Sequence, residues 1–191
     1  ADDYASIYGD GDDVFYDDSA NFIIKDGVLV KYTGWQPFVE IPDTVTAIGD
    51  EAFLNNKTMI HVLIPDSVTS IGESAFEGCT SLLSVSIPDS VESIGQSAFE
   101  GCTSLGYAHL PNNVKYTVIE SSLFRECSVL KEIELPDNIK HIYNYAFRNC
   151  SNLNLVKMST KLESLGWFTL ENIEKKINDT LDILSDNNER V

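Results

Sequence analysis

Ile64–Ser86 reads IPDSVTSIGESAFEGCTSLLSVS, and Ile87–His109 reads IPDSVESIGQSAFEGCTSLGYAH. The two stretches agree at 17 of 23 positions, which chance does not produce. The same frame runs outward in both directions. An Ile/Leu-Pro pair recurs at Ile41-Pro42, Ile64-Pro65, Ile87-Pro88, Leu110-Pro111 and Leu135-Pro136, in steps of 23, 23, 23 and 25 residues. Phe53, Phe76, Phe99, Phe124 and Phe147 share one position of the frame. Three residues after each comes Asn56, Cys79, Cys102, Cys127 or Cys150, and three further on Met59, Leu82, Leu105, Leu130 or Leu153. The long step is read as holding two extra residues between Val114 and Ile119, which predicts a bulged turn.

A period of this length with L-x-x-L-x-L spacing (Leu82, Val85, Ile87; Leu130, Ile133, Leu135) is the leucine-rich-repeat pattern. Each unit is one short strand with alternate side chains turned inward. The proline, which has no N–H for a ladder, ends the strand. The chain then returns through residues such as Val68, Ile71, Ala75, Phe76 and Cys79. No unit buries its apolar side alone, so units must stack. The expected fold is an α/β leucine-rich-repeat solenoid. Short parallel strands line its concave face, with irregular or short helical turns on the convex face. Five phenylalanines should pile into one spine. Thr44, Ser67, Ser90, Asn113 and Asn138, three after each Ile/Leu, are expected to bond local backbone.

Solenoid ends need covering. Lys25-Asp26-Gly27 between Phe22-Ile23-Ile24 and Val28-Leu29-Val30 predicts a hairpin, so 22–40 is read as an N-terminal hairpin cap. Repeats occupy 41–168, with Met158, Leu162, Leu165 and Gly166 opening a sixth unit. Thr169 reads as a helix N-cap with Glu171 in the first turn. Leu170, Ile173, Ile177, Leu181 and Leu184 follow at helical spacing, so 169–191 is read as a C-terminal helix cap and tail. Residues 1–21 are read as an acidic lead-in, flexible or loosely docked: the first twenty hold seven aspartates and no Lys or Arg.

The 191 residues suit one domain, and a hydrophobic content of 43% is enough to fill a core. A net charge of −17 repels nucleic acid and anionic membranes, so neither is expected as a partner. No apolar run is long enough to cross a bilayer, so direct membrane insertion is not expected.

IPDSVTSIGESAFEGCTSL resembles the BspA-type leucine-rich repeat of bacterial and some protist surface proteins. The lead-in IIKDGVLVKYTG followed by VEIPDTVTAIG resembles the opening of such arrays. The resemblance covers about residues 22–168. It implies an exported, surface-displayed array used in adhesion, for example to host matrix proteins or to other cells.

The four cysteines share one repeat position beside the phenylalanines. In-register stacking sets their Cβ vectors parallel, which suits a disulfide dihedral badly, so they are read as buried free thiols. His61 and His109 fall on different strand columns, and His141 is expected to face solvent, so no shared metal site is expected. Asp10-Gly11-Asp12-Asp13 resembles the start of a calcium loop, but Val14 and Asn21 stand where ligands are needed. There is no nucleophile elbow, phosphate loop or HExxH helix, so neither enzymatic activity nor a cofactor is expected.

Four of the six differences between the two near-identical units lie in the strand. The scaffold is copied while the strand surface varies. Outward strand positions form two columns: Phe38, His61, Ser84, Tyr107, Glu132, Leu155 and Glu40, Leu63, Ser86, His109, Glu134, Lys157. Aromatic and apolar members on exposed strands suit contact with a protein or a glycan. The candidate ligand-binding residues are therefore Phe38, His61, Leu63, Tyr107, His109, Glu132, Glu134, Leu155 and Lys157. The leading expectation is a monomeric adhesion or recognition module outside the cell. The alternative is a structural spacer within a larger surface protein.

Overall fold

The computed structural model describes residues 19–167 and Thr169. It is a parallel β-solenoid. Strands of three residues form one face: Phe38–Glu40, His61–Leu63, Ser84–Ser86, Tyr107–His109, Glu132–Glu134 and Leu155–Lys157. Register is kept coil to coil, with Phe38 opposite His61, Ser84 opposite Tyr107 and Glu132 opposite Leu155. This alternation turns Val39, Val85, Ala108 and Ile133 into the core.

The return limb is not helical in any described repeat. It carries a second parallel ladder of two-residue strands: Ala47–Ile48, Ser70–Ile71, Ser93–Ile94, Val118–Ile119, His141–Ile142 and Ser164–Leu165. Irregular turns fill the remainder, and among the described residues the one helical turn is the 3-10 turn Ser19–Asn21. The reason is local. Each coil alternates a buried Val/Ile pair with Ser, Thr or Gly, and residues such as Ser74 and Ser97 sit at positive φ (52° and 56°), which breaks any helix. Thr169 donates its hydroxyl to the carbonyl of Gly166 at 2.6 Å. The expected C-terminal helix, most of the acidic lead-in and the calcium-like loop lie outside the described residues.

A third, non-strand ladder runs along the phenylalanine side. Amides of Phe53, Phe76, Phe99 and Phe124 donate to the carbonyls of Ala75, Ala98, Leu123 and Ala146 one coil on, at 2.7–3.0 Å. The phenylalanine rings stack behind it. Successive centroids lie 4.8, 5.2, 5.6 and 5.7 Å apart, with interplanar angles of 7°, 5°, 9° and 6°. These separations exceed van der Waals contact between parallel faces, about 3.5–4 Å, so the rings are offset as their quadrupoles prefer.

The hairpin Phe22–Lys25 and Val28–Tyr32 forms around Asp26-Gly27, both at positive φ (52° and 79°), the geometry of a primed two-residue turn. It pairs with Ala47–Ile48 and so extends the second ladder. Phe22 and Tyr32 also continue the ring stack: Tyr32 lies 5.2 Å from Phe53, and Phe22 4.9 Å from Tyr32.

All four cysteines are buried and free. Each thiol donates to the carbonyl of the phenylalanine one coil back: Cys79 to Phe53, Cys102 to Phe76, Cys127 to Phe99 and Cys150 to Phe124, at 3.0–3.2 Å. Asn56, at the end of the row, instead accepts from the amides of Thr58 and Met59. Ser67 and Ser90 do not bond their own turns. Their hydroxyls bridge to the carbonyls of Val45 and Val68 in the coil before, both at 2.7 Å.

The two extra residues fall earlier than the sequence reading placed them. The Tyr116 amide donates to the Asn113 carbonyl, just as Val91 donates to Pro88. Pro111-Asn112 is therefore the insertion, and Tyr116 rather than Val114 fills the valine column of Val45, Val68, Val91 and Ile139. The Asp89 carboxylate fixes this register by accepting from the Asn112 amide at 2.7 Å, while the Asn113 side chain donates to the Asp89 carbonyl at 2.9 Å. Val114 is left 78% exposed.

Both strand ladders break at this step. The three-residue sheet divides between Tyr107–His109 and Glu132–Glu134, and the second ladder between Ser93–Ile94 and Val118–Ile119. Among the described residues, backbone bonds across the step are those of Ser97, Phe99 and Gly101 to Ser121, Leu123 and Arg125.

The hydroxyl of Tyr116 is buried and has no hydrogen-bond partner among the described residues. Burial raises its pKa far above the ordinary phenol value. An unpaired buried hydroxyl costs about 1–3 kcal/mol. Tyr116→Phe keeps the ring and removes that cost, so denaturant unfolding should show a gain of about 1 kcal/mol or more. A loss of stability would mean the hydroxyl is satisfied.

Candidate functional site

The outward columns of the three-residue strands hold four of the exposed large apolar side chains among the described residues. Phe38 is 49% exposed, Leu63 60%, Tyr107 55% and Leu155 53%. They are there because strand alternation sends every second residue out, while Ile and Leu before each turn lock the backbone below. Phe38 and His61 stack across neighbouring strands with centroids 5.4 Å apart and planes at 18°. His109, Glu132, Glu134 and Lys157 are all exposed. The Lys157 ammonium pairs with the Glu134 carboxylate one coil back. That hydrogen bond, reinforced by the charge of Glu134, raises the pKa of Lys157.

The structure gathers six of the nine candidate residues around one recess of about 540 Å3: Tyr107, His109, Glu132, Glu134, Leu155 and Lys157. It lies where the sheet ladder is interrupted. Ala108, smaller than the Val or Ile of that column in the other coils, forms part of its floor with Ile133. Phe38 and His61 stand apart at the other end of the face. Leu63 belongs to a second, shallower recess of about 460 Å3 with Glu40, Asp43 and Asp66. Sequence reasoning found the columns but missed the recess, which lies beside the insertion and has the inserted Asn112 in its lining.

His141 is half-buried. Its Nδ1 lies 2.9 Å from Ser164 Oγ, and its Nε2 3.9 Å from a Glu163 carboxylate oxygen, on the second ladder away from this face. Among the described residues no cluster of His, Cys, Asp or Glu has the geometry to hold a metal ion. Among them, too, no helix is long and apolar enough to cross a membrane.

Parallel coils, a buried ring spine and a side-chain-varied strand face define a leucine-rich-repeat protein. The chain belongs to the BspA type leucine rich repeat family, whose profile matches residues 32–117 and 117–185 in six copies. A leucine-rich repeat protein from Bacteroides ovatus is 32% identical, with a TM-score of 0.62, over 71% of this chain and 41% of that one. A leucine rich cell surface protein from Faecalibacterium prausnitzii is 30% identical, with a TM-score of 0.61, over 75% and 42%. The T. pallidum leucine-rich repeat protein shares the fold at 24% identity, with a TM-score of 0.68, over 82% and 87%. The chain thus spans less than half of the Bacteroides and Faecalibacterium proteins. No curated protein matches it.

Proposed function

We propose that this chain is a non-enzymatic recognition module, displayed outside the cell, that adheres to a protein or glycan through its three-residue strand face. One observation carries the reading: Phe38, Leu63, Tyr107 and Leu155 each expose about half their surface on a face whose backbone is held by an otherwise regular core. Aromatic and aliphatic anchors on a rigid surface are the residues that dominate recognition when they become buried by a partner. The likeness to a leucine rich cell surface protein of Faecalibacterium prausnitzii supports display at the surface.

The test is an equilibrium binding screen against immobilised matrix proteins and a glycan array. A ligand of this face should lose about tenfold or more in affinity with Tyr107→Ala or His109→Ala, the size expected of an interface anchor. Binding that ignores both substitutions places the site elsewhere. A spacer role is the second reading, because longer leucine-rich-repeat proteins contain a region matching this chain over 41–42% of their length. A chain inert in both screens favours it.

A further inference from the structure

The two sides of the strand face differ in chemistry. The chain enters the strands past three exposed apolar residues, Trp35, Leu83 and Val129, and past the exposed Lys131 immediately before Glu132. It leaves them through turns whose exposed position two after the Ile/Leu holds Asp43, Asp66, Asp89 and Asp137. On the face itself Glu40, Glu132 and Glu134 stand against the single cation Lys157, which Glu134 already engages. Seven carboxylates therefore meet one ammonium on the face and its exit rim. Both recesses share this character: Glu132, Glu134 and Asp137 line one, and Glu40, Asp43 and Asp66 the other. Glu132 lies between Tyr107 and Leu155 in its column, so a carboxylate stands beside an aromatic face and an aliphatic side chain.

We infer that the occupant of this face is a basic polypeptide segment with interspersed apolar residues. The inference rests on the recognition reading above and narrows it to one partner chemistry. A lysine or arginine of the partner meets the Glu132 carboxylate with its apolar stem against Leu155 and its cation over the Tyr107 ring. Apolar residues of the partner lie toward Leu83 and Val129. The whole chain, at −17, draws such a partner in and repels acidic ones.

The test uses the full chain and a labelled peptide of alternating lysine and leucine. About eight residues in extended form span the face, since neighbouring strands lie about 4.8 Å apart. Its glutamate-leucine counterpart is the control. Fluorescence anisotropy should show binding of the basic peptide alone. Affinity should fall by roughly tenfold or more as salt rises from about 50 to about 300 mM, because screening shortens the reach of these charges. Glu132→Gln combined with Asp137→Asn should weaken binding about tenfold, as should Tyr107→Ala. Glu73→Gln combined with Glu77→Gln removes the same net charge beside the phenylalanine spine and should leave affinity unchanged.

Equal weakening by that control pair, or equal binding of the acidic peptide, overturns the inference. So does indifference of the basic peptide to Tyr107→Ala. A glycan or uncharged ligand lost with Tyr107→Ala but insensitive to salt and to Glu132→Gln leaves recognition by this face standing and removes the basic partner.

Discussion

Phe99→Ala is expected to destabilise the solenoid by about 3–5 kcal/mol and to split its unfolding into two transitions. Phe99 is fully buried, with Phe76 and Phe124 stacked at 5.2 and 5.6 Å on its two faces. Truncation removes both contacts and leaves a cavity that rigid neighbouring coils close poorly. Position matters as much as size. Both strand ladders stop at the step from this coil to the next, so among the described residues its backbone-to-backbone bonds number three, one of them from the Phe99 amide. The rest of the hold includes the ring stack, the buried side chains, the Asp89 and Cys127 side-chain bonds and the Lys115–Glu92 and Arg125–Glu100 ion pairs.

A repeat protein's cooperativity depends on nearest-neighbour interfaces, and the weakest one decides where the array divides. Phe53→Ala tests this, because Phe53 lies where the second ladder runs unbroken from the hairpin through Ser93–Ile94. That variant should lose stability yet keep one transition, whereas Phe99→Ala should show two by urea titration. One transition for Phe99→Ala, at unchanged steepness, would show that the interrupted step is not the weak link.

What the sequence made legible follows from what repeats. The ring column and the cysteine column recur at steps of 23 or 25 residues with a chemical identity that stands out, and the varied outward strand positions are found by counting from them. Stacking logic then places them. The second ladder stayed hidden because strands such as Ser70–Ile71 are two residues long, too short for an alternation to register. The third ladder involves backbone amides alone, which no side-chain pattern reports. The insertion was misplaced because Val114 looks the natural heir to a valine column. The choice of Tyr116 is made by Asp89 holding Asn112 and Asn113, a contact between residues one coil apart. The recess is illegible for a related reason: it lies at an interrupted ladder, and its strand residues by themselves fit an unbroken sheet. The stack's two further rings, Phe22 and Tyr32, are partners in the hairpin register, and the Asp-Gly turn that sets that register was plain in the sequence.

The four thiols make alkaline unfolding the second large effect. Burial pushes Cys79 and Cys150 up from 9.0 to about 12, and it holds Cys102 and Cys127 well above the ordinary value. A thiol whose pKa is raised by folding stays protonated in the folded chain where the unfolded chain would release the proton. Its stabilising contribution is therefore intact below about pH 9 and is lost as pH climbs from there toward 12. Each such group tilts the balance by about 1.36 kcal/mol per pH unit inside that window. Four together give roughly 5 kcal/mol per unit, and Tyr116 adds in the same direction at higher pH. A domain stable by about 5–15 kcal/mol should then unfold cooperatively roughly one to three units above pH 9. Circular dichroism should fall in step with the rise of thiolate absorbance, since the thiols ionise only as the coils open. Replacing Cys102 and Cys127 with alanine should lower stability at neutral pH, where volume and the thiol hydrogen bonds are lost, yet flatten the alkaline limb by about half. Thiolate absorbance that rises near pH 9 while the β-signal persists would show the cysteine row open to solvent, and the close stacking of these coils would be wrong with it.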